Sequence, residues 1–249
     1  NLKKYKMKKT TATKTKTAAY ILIAVEVIAF VLYTGSISQK KAIQADMIKK
    51  CPNVPFYAQG DSKWGGNPYP AKNDRSCDKT TISTSGCGPT SLAMVLSAFG
   101  IKTDPAKIAK ESTNANYRVC NAGSSHDIIN LAKNYGLKTT GELQWDTVKK
   151  YLLEGGLVIA HGHGAMPYTS GGHFVVITCY DPTTGWVLVN DSASGNGKNA
   201  AYPESALRKG TQLGARAIYG KPLVSPSPTP ISNQTSTKKD RINYNYYLK

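Results

Sequence analysis

Residues 81–100 read TISTSGCGPTSLAMVLSAFG, and no other stretch constrains the chain as strongly. Cys87 stands between two glycines, Pro89 follows, and a run of helix formers continues to Gly100. Leu92, Val95, Leu96 and Phe99 recur at helical spacing, which predicts a helix with one buried face and the Cys87 thiol at its start. Unpaired backbone N–H groups and the positive end of the helix dipole favour a thiolate at that position. Gly86 and Gly88 admit a tight turn and a close approach by another backbone. The same thiol would also serve as half of a disulfide, so a nucleophilic role requires a histidine elsewhere.

The formal charge of +17 over 249 residues suggests nucleic acid until it is partitioned. Residues 1–50 hold eleven lysines against Glu26 and Asp46, a net +9, while residues 51–220 and 221–249 each carry only +4. The globular part is mildly basic and makes no case for a nucleic-acid partner. Residues 1–17 contain seven lysines and no acid, and are expected to be a cytoplasmic segment. Residues 18–37, AAYILIAVEVIAFVLYTGSI, are long and apolar enough to suggest one transmembrane helix, although Glu26 costs about 2.5–3.5 kcal/mol on insertion. The lysine bias would then set a single-pass protein in the cell membrane with its C-terminal domain outside. The alternative is a secreted chain cleaved near Ala42–Ala45. Residues 38–50 form a juxtamembrane linker. Cys51, Cys77, Cys87, Cys120 and Cys179 make five cysteines, which in an exported chain implies disulfides with one thiol left over.

The domain is expected over 51–220. It begins with an extended Val54–Tyr57, then a loop to Ser76. After the Cys87 helix, Thr103-Asp104-Pro105 signals a helix at Ala106–Glu111. Ser124 and Asp127 have capping-box spacing for a helix through Tyr135 that stops at Gly136, and Trp145–Leu153 is another helix. Three strand-like runs follow, Leu157–Ala160, His173–Thr178 and Trp186–Asn190, rich in β-branched residues. Asp181–Gly185 reads as the turn of a hairpin joining the last two. A short helix at Glu204–Arg208 and a strand at Ala215–Tyr219 complete an α+β fold of helices packed on an antiparallel sheet. Residues 221–249 are a Pro-rich spacer and a polar tail expected to be disordered.

A cysteine nucleophile requires a base, a group to orient the base, and an oxyanion site. His173 starts one strand of the expected hairpin and Asp191 follows the end of the other. The two would therefore be neighbours at one sheet edge. Asp191 could hold one ring nitrogen of His173 while the other faces the thiol. His161 and His163, with His126 as a third, are a weak candidate metal set, and no metal or cofactor is expected.

VPFYAQ, SGCGPTSLAMVL, GGHFVVITCYD and VLVND, in this order, resemble the papain-like cysteine peptidases of the bacteriocin-leader-processing group, and more closely their stand-alone secreted relatives. The resemblance runs from Val54 to Tyr219. It implies a papain-like fold with Cys87 as nucleophile, His173 as general base and acid, and Asp191 as orienting residue. It also implies that Gln59 donates its side-chain amide to the oxyanion beside the backbone N–H of Cys87. Two departures stand out. Gly86 takes a position where those peptidases often have Asp, and twenty-eight positions separate Gln59 from Cys87. No transporter region accompanies the domain, so export of leader peptides does not carry over. With this alignment Cys77 and Cys120 flank the nucleophile and are the favoured disulfide, and Cys179 reads as a buried thiol.

The leading expectation is a membrane-anchored extracellular cysteine peptidase that hydrolyses peptide bonds, at small residues or glycine because the site is glycine-rich. A cell-wall amidase or transpeptidase acting on peptidoglycan with the same triad is the enzymatic alternative. A catalytically silent module of an envelope assembly is the non-enzymatic one.

Overall fold

The computed structural model describes residues 2–121, 123–162, 172–193, 197–211, 214–221 and 223, with the side chains of 2–24, 30 and 209–211 outside the description. The chain divides into two compact units, 1–45 and 46 onward. The first belongs to helix α1 (Leu2–Lys50), which continues to the start of the second. Among the described residues no helix is long and apolar enough to cross a membrane, so the bilayer-spanning helix expected at 18–37 finds no support here. The side chains of 18–24 and 30 within that run, and all but Lys221 and Leu223 of the expected tail at 221–249, lie outside the described residues.

The second unit places helices α2 (Ile82–Ser85), α3 (Cys87–Ala98) and α4 (Pro105–Asn114) ahead of the main sheet. Asp104 caps α4 by accepting from the Lys107 N–H at 2.8 Å, as its Asp-Pro start predicts. Two short strands, β1 (Arg118–Val119) and β2 (Gly123–Ser124), pair with each other. The capping-box expectation at Ser124 is corrected. Ser124 lies in β2, and the following turn is a 3-10 helix, His126–Tyr135, capped by Ser125, whose hydroxyl accepts from Asp127 N–H. Ser124 is drawn away by a buried hydrogen bond with Tyr69. Gly136, at φ +76°, ends the 3-10 helix in the left-handed conformation.

The remaining elements are β3 (Lys138–Thr139), α5 (Trp145–Leu153), β4 (Leu157–Gly162), β5 (His173–Asp181), β6 (Trp186–Asn190), β7 (Ala200–Pro203), α6 (Glu204–Thr211) and β8 (Arg216–Tyr219). They build a six-stranded antiparallel sheet in the order β3-β8-β4-β5-β6-β7. The expected hairpin is present, and its strands extend beyond the apolar run because Tyr180 and Asp181 still pair, with Val187 and Trp186. A bulge at Thr178 shifts its register, and the Thr178 hydroxyl donates to the Leu188 carbonyl at 3.2 Å.

Alternation along β4 and β5 feeds two cores, one on each face of the sheet. Leu157, Ile159, Phe174 and Val176 pack with α3, Ile108 of α4 and the 3-10 helix. Val158, Ala160, Val175 and Ile177 pack with Trp145, Val148, Leu152 and Leu207 of α5 and α6. The sheet is thus covered on both sides. Helix α3, which begins with Cys87, occupies one face, against the strand that begins with His173.

Two disulfides close the unit, Cys77–Cys120 and Cys51–Cys179. The first matches the favoured pairing. The second corrects the reading of Cys179 as a buried thiol, because Cys51, immediately after α1, reaches the β5 bulge. Cys87 is free.

Candidate active site

Cys87 is the first residue of α3 and 9% exposed. Its N–H and that of Gly88 belong to the turn that has no intrahelical acceptors, and Pro89 contributes no N–H at all. Gly86 is required by packing. A Cβ there would lie 2.4 Å from the carbonyl oxygen of Ile82, which accounts for glycine where related motifs carry Asp. A Cβ at Gly88 would lie 2.4 Å from Ser124 Oγ, so β2 presses directly on the first turn of the helix.

His173 Nε2 and Asp191 Oδ1 are 2.6 Å apart, and both side chains are buried. The pairing Val176↔Asn190 places Asp191 diagonal to His173 across the hairpin. Both therefore sit at the end of the hairpin away from its turn. Asp191 Oδ1 also accepts from the Ala193 N–H at 2.9 Å, which fixes the carboxylate. The His173 ring hydrogen-bonds with the Cys87 thiol as well. With Nε2 committed to Asp191, Nδ1 is the nitrogen left for sulfur. Burial alone would push the imidazolium pKa down. The hydrogen bonds to Asp191 and Cys87, with the negative charge those groups carry, outweigh it and raise the value to about 9.

Gln59 is brought to the same region. Its Nε2 donates to the Ser83 carbonyl at 2.8 Å, its Oε1 accepts from the Ser192 hydroxyl at 3.1 Å, and its N–H donates to the Ser192 carbonyl at 2.9 Å. The side-chain amide carries two N–H donors, of which the Ser83 bond uses one. The long spacing between Gln59 and Cys87 is taken up by a loop packed around Trp64, Tyr69 and Ile82.

The structure thus brings Cys87, His173 and Asp191 into one hydrogen-bonded chain, with Gln59 tied to Ser192, the residue after Asp191. Ser192 escaped sequence reasoning, although its place next to Asp191 was a usable signal. Of the candidate metal set, His163 lies outside the described residues. His126 and His161 pack ring to ring, centroids 4.9 Å apart, and both rest against Phe174. Burial and the Arg216 charge push the His126 pKa down. Among the described residues no three His, Cys, Asp or Glu side chains are grouped to hold a metal ion.

A thiol at a helix start, packed on an antiparallel sheet that presents a histidine, defines the papain-like class of cysteine peptidases. The chain belongs to the peptidase C39-like family, whose model matches residues 51–213. Among solved structures, one from Bacillus anthracis described as a C39-like peptidase aligns at 20% identity and a TM-score of 0.48, covering 69% of this chain and 96% of that one. The peptidase domain of Streptococcus ComA, a bi-functional ABC transporter involved in a quorum-sensing pathway, aligns at 18% identity and a TM-score of 0.39, covering 56% and 93%. No curated protein matches the chain.

Proposed function

We propose that this cysteine peptidase cleaves peptide bonds through a Cys87–His173–Asp191 triad with Gln59 at the oxyanion, outside the cytoplasm. The observation that carries the reading is the buried chain from thiol to imidazole to carboxylate, closed at 2.6 Å on the Asp191 side. Cys87 sulfur attacks the scissile carbonyl carbon as the C=O π pair moves onto oxygen. Gln59 Nε2–H and the Cys87 N–H receive that oxyanion. His173, already protonated, gives its Nδ1 proton to the leaving amine as the C–N bond breaks. Water then gives a proton back to His173 and attacks the thioester, and the C–S bond breaks to release the acid and the thiolate.

Two disulfides support an oxidising compartment, because such bonds persist outside the cytosol. The glycines around the thiol and imidazole support a narrow cleft for small residues at the cut. Gly172, just before His173, leaves room that a Cβ would fill to within 3.1 Å of His161 Nε2.

The test is a cleavage profile on a peptide library, run beside purified cell-wall peptides, with Cys87→Ala as control. Cleavage at glycine or alanine that vanishes in Cys87→Ala supports the reading. Cleavage only of wall cross-bridges would move the substrate to peptidoglycan. Turnover that survives in Cys87→Ala would sink the triad.

A further inference from the structure

Three segments around the thiol and imidazole each bring a nitrogen-bearing side chain to one place. His126 opens the 3-10 helix that follows β2, the strand whose Ser124 presses on Gly88. His161 pairs with Phe174, the residue after His173, and Arg216 of β8 pairs with Ile159, two positions before His161. Ile159 and Phe174 belong to the core under α3, so alternation sets His161 and Arg216 on the α3 face of the sheet.

Contacts tie the three together. The His126 and His161 rings are 4.9 Å apart, centroid to centroid, and both rest on Phe174. A Cβ at Gly214 would lie 2.9 Å from Arg216 Nη1 and 2.9 Å from His126 Cε1, so guanidinium and imidazole flank one glycine. A Cβ at Gly172 would lie 3.1 Å from His161 Nε2, and Gly172 adjoins His173. The row therefore leads outward from the neighbours of His173 through His161 and His126 to Arg216.

Much of its hydrogen-bonding capacity is unused. Among the described residues the Arg216 guanidinium makes one hydrogen bond, from Nη1 to the Gly214 carbonyl at 3.2 Å, which leaves most of its planar fork of donors open. Among the same residues no carboxylate lies within ion-pair distance of Arg216 or His126. Asp127 and Glu142, whose charges reach His126, are exposed at the surface. All three side chains of the row are half-buried, and a charge partly withdrawn from water gains from a hydrogen-bonded counter-charge. A carboxylate suits this set, since the guanidinium fork matches its two oxygens.

We propose that His126, His161 and Arg216 form a carboxylate-binding subsite of the peptide cleft. It selects substrates that carry a carboxylate within about three residues of the cut, an extended chain advancing about 3.3 Å per residue. The carboxylate is that of an Asp or Glu side chain or of a chain end. The inference rests on the peptidase reading and deepens it, because glycines at the thiol admit a small residue at the bond whereas Arg216 chooses among such sequences by charge.

The test is kcat/KM on C-terminally amidated peptides with glycine at the cut, in which each neighbouring position in turn is Glu or Gln. A second set carries Gln throughout and ends just beyond the cut in either a free carboxylate or an amide. The wild-type chain should prefer the charged member of one pair by about 10 to 100-fold, the worth of a hydrogen bond to a charged group. A preference in the first set assigns the subsite to a side chain, and one confined to the second assigns it to a chain end. In Arg216→Gln the ratio should fall to near one. A purely structural role would slow both members of a pair together and keep the ratio. Cooperative melting shows whether the variant is folded. Should Arg216→Gln fail to fold, His126→Phe decides, because it keeps the ring packing and removes the N–H, and the ratio should fall about threefold. Wild-type cleavage that is blind to charge, or a preference that survives in the folded variant, overturns the subsite and leaves the peptidase reading intact. If no peptide is cleaved by wild type beyond the Cys87→Ala control, the peptidase reading itself fails and the subsite falls with it.

Discussion

Gln59 and Ser192 are joined twice, by the Gln59 N–H to the Ser192 carbonyl at 2.9 Å and by the Ser192 hydroxyl to Gln59 Oε1 at 3.1 Å. The Ser83 carbonyl fixes which end of the amide faces it, because only the NH2 end can donate there, and the Ser192 hydroxyl then donates to the oxygen end. On the proposed mechanism, Ser192 thereby helps to aim the amide that would receive the oxyanion.

Removing the donor and removing its aim should differ in degree. Gln59→Ala should lower kcat by about 100 to 1,000-fold, the usual range for one oxyanion donor. Ser192→Ala leaves the amide in place and should cost less, at most the about 100-fold that a displacement of about 1 Å can cost. KM should change little in either. Steady-state kinetics on one peptide substrate measures both, and equal losses would mean that Ser192 does more than aim.

The raised His173 pKa has a signed consequence for stability. The folded value, about 9, exceeds the ordinary 6.5 for histidine, so the stabilisation is fully present below about pH 6.5 and is lost as pH rises through about 9. The difference in unfolding free energy between wild type and His173→Gln should therefore shrink across that window by on the order of 3 kcal/mol. Denaturant titrations at pH 6, 7.5 and 9.5 measure it. Turnover should fall over the same alkaline limb as the imidazolium loses the proton it gives to the leaving amine.

Gly88→Ala would force a methyl to within 2.4 Å of Ser124 Oγ and 2.7 Å of its Cβ. Overpacking of this kind costs about 1 to 3 kcal/mol. Activity should fall with stability because the strain falls on the turn that carries the thiol. Ser124→Gly in the same chain should recover part of the lost melting temperature, although it also removes a hydrogen bond from Tyr69. No recovery would place the strain elsewhere.

The two disulfides close loops of different length, with sequence separations of 128 for Cys51–Cys179 and 43 for Cys77–Cys120. Chain-entropy scaling assigns about 5 and about 4 kcal/mol to them, less any relaxation in the native state. Replacing each pair by alanines should lower stability in that order. In the unreduced, unfolded protein, thiol labelling should report a single cysteine, on the peptide that contains residue 87.

Legibility in the sequence followed the range of the signal. Cys87 at a helix start was readable because glycine, proline and helical spacing are local, and α5 and β6 matched their expected limits. His173 and Asp191 were readable because a hairpin turns closeness in sequence into closeness in space. Gln59 needed family resemblance, since nothing local distinguishes it from a loop residue. The Cys51–Cys179 pair and the displaced cap at Ser124 depend on contacts between distant segments. Two-residue strands such as β1, β2 and β3 carry too few residues for alternation to register.

The bulge at Thr178 is a matter of odd and even. Near the turn the ladder pairs Tyr180 with Val187, whereas beyond the bulge it pairs Val176 with Asn190, an offset different by one. Were residue 178 paired rather than bulged, the ladder continued from the turn would set Asp191 opposite Val176, on the other side of the sheet from His173. The active site is therefore out of phase with its own hairpin turn by one residue, and Thr178 supplies the difference. Growth of the loop at 182–185 leaves that phase untouched. Loss of the single residue 178 would also leave Ile177 opposite Val189 and Asp191 diagonal to His173, whereas pairing residue 178 into the ladder would send the imidazole and the carboxylate to opposite faces.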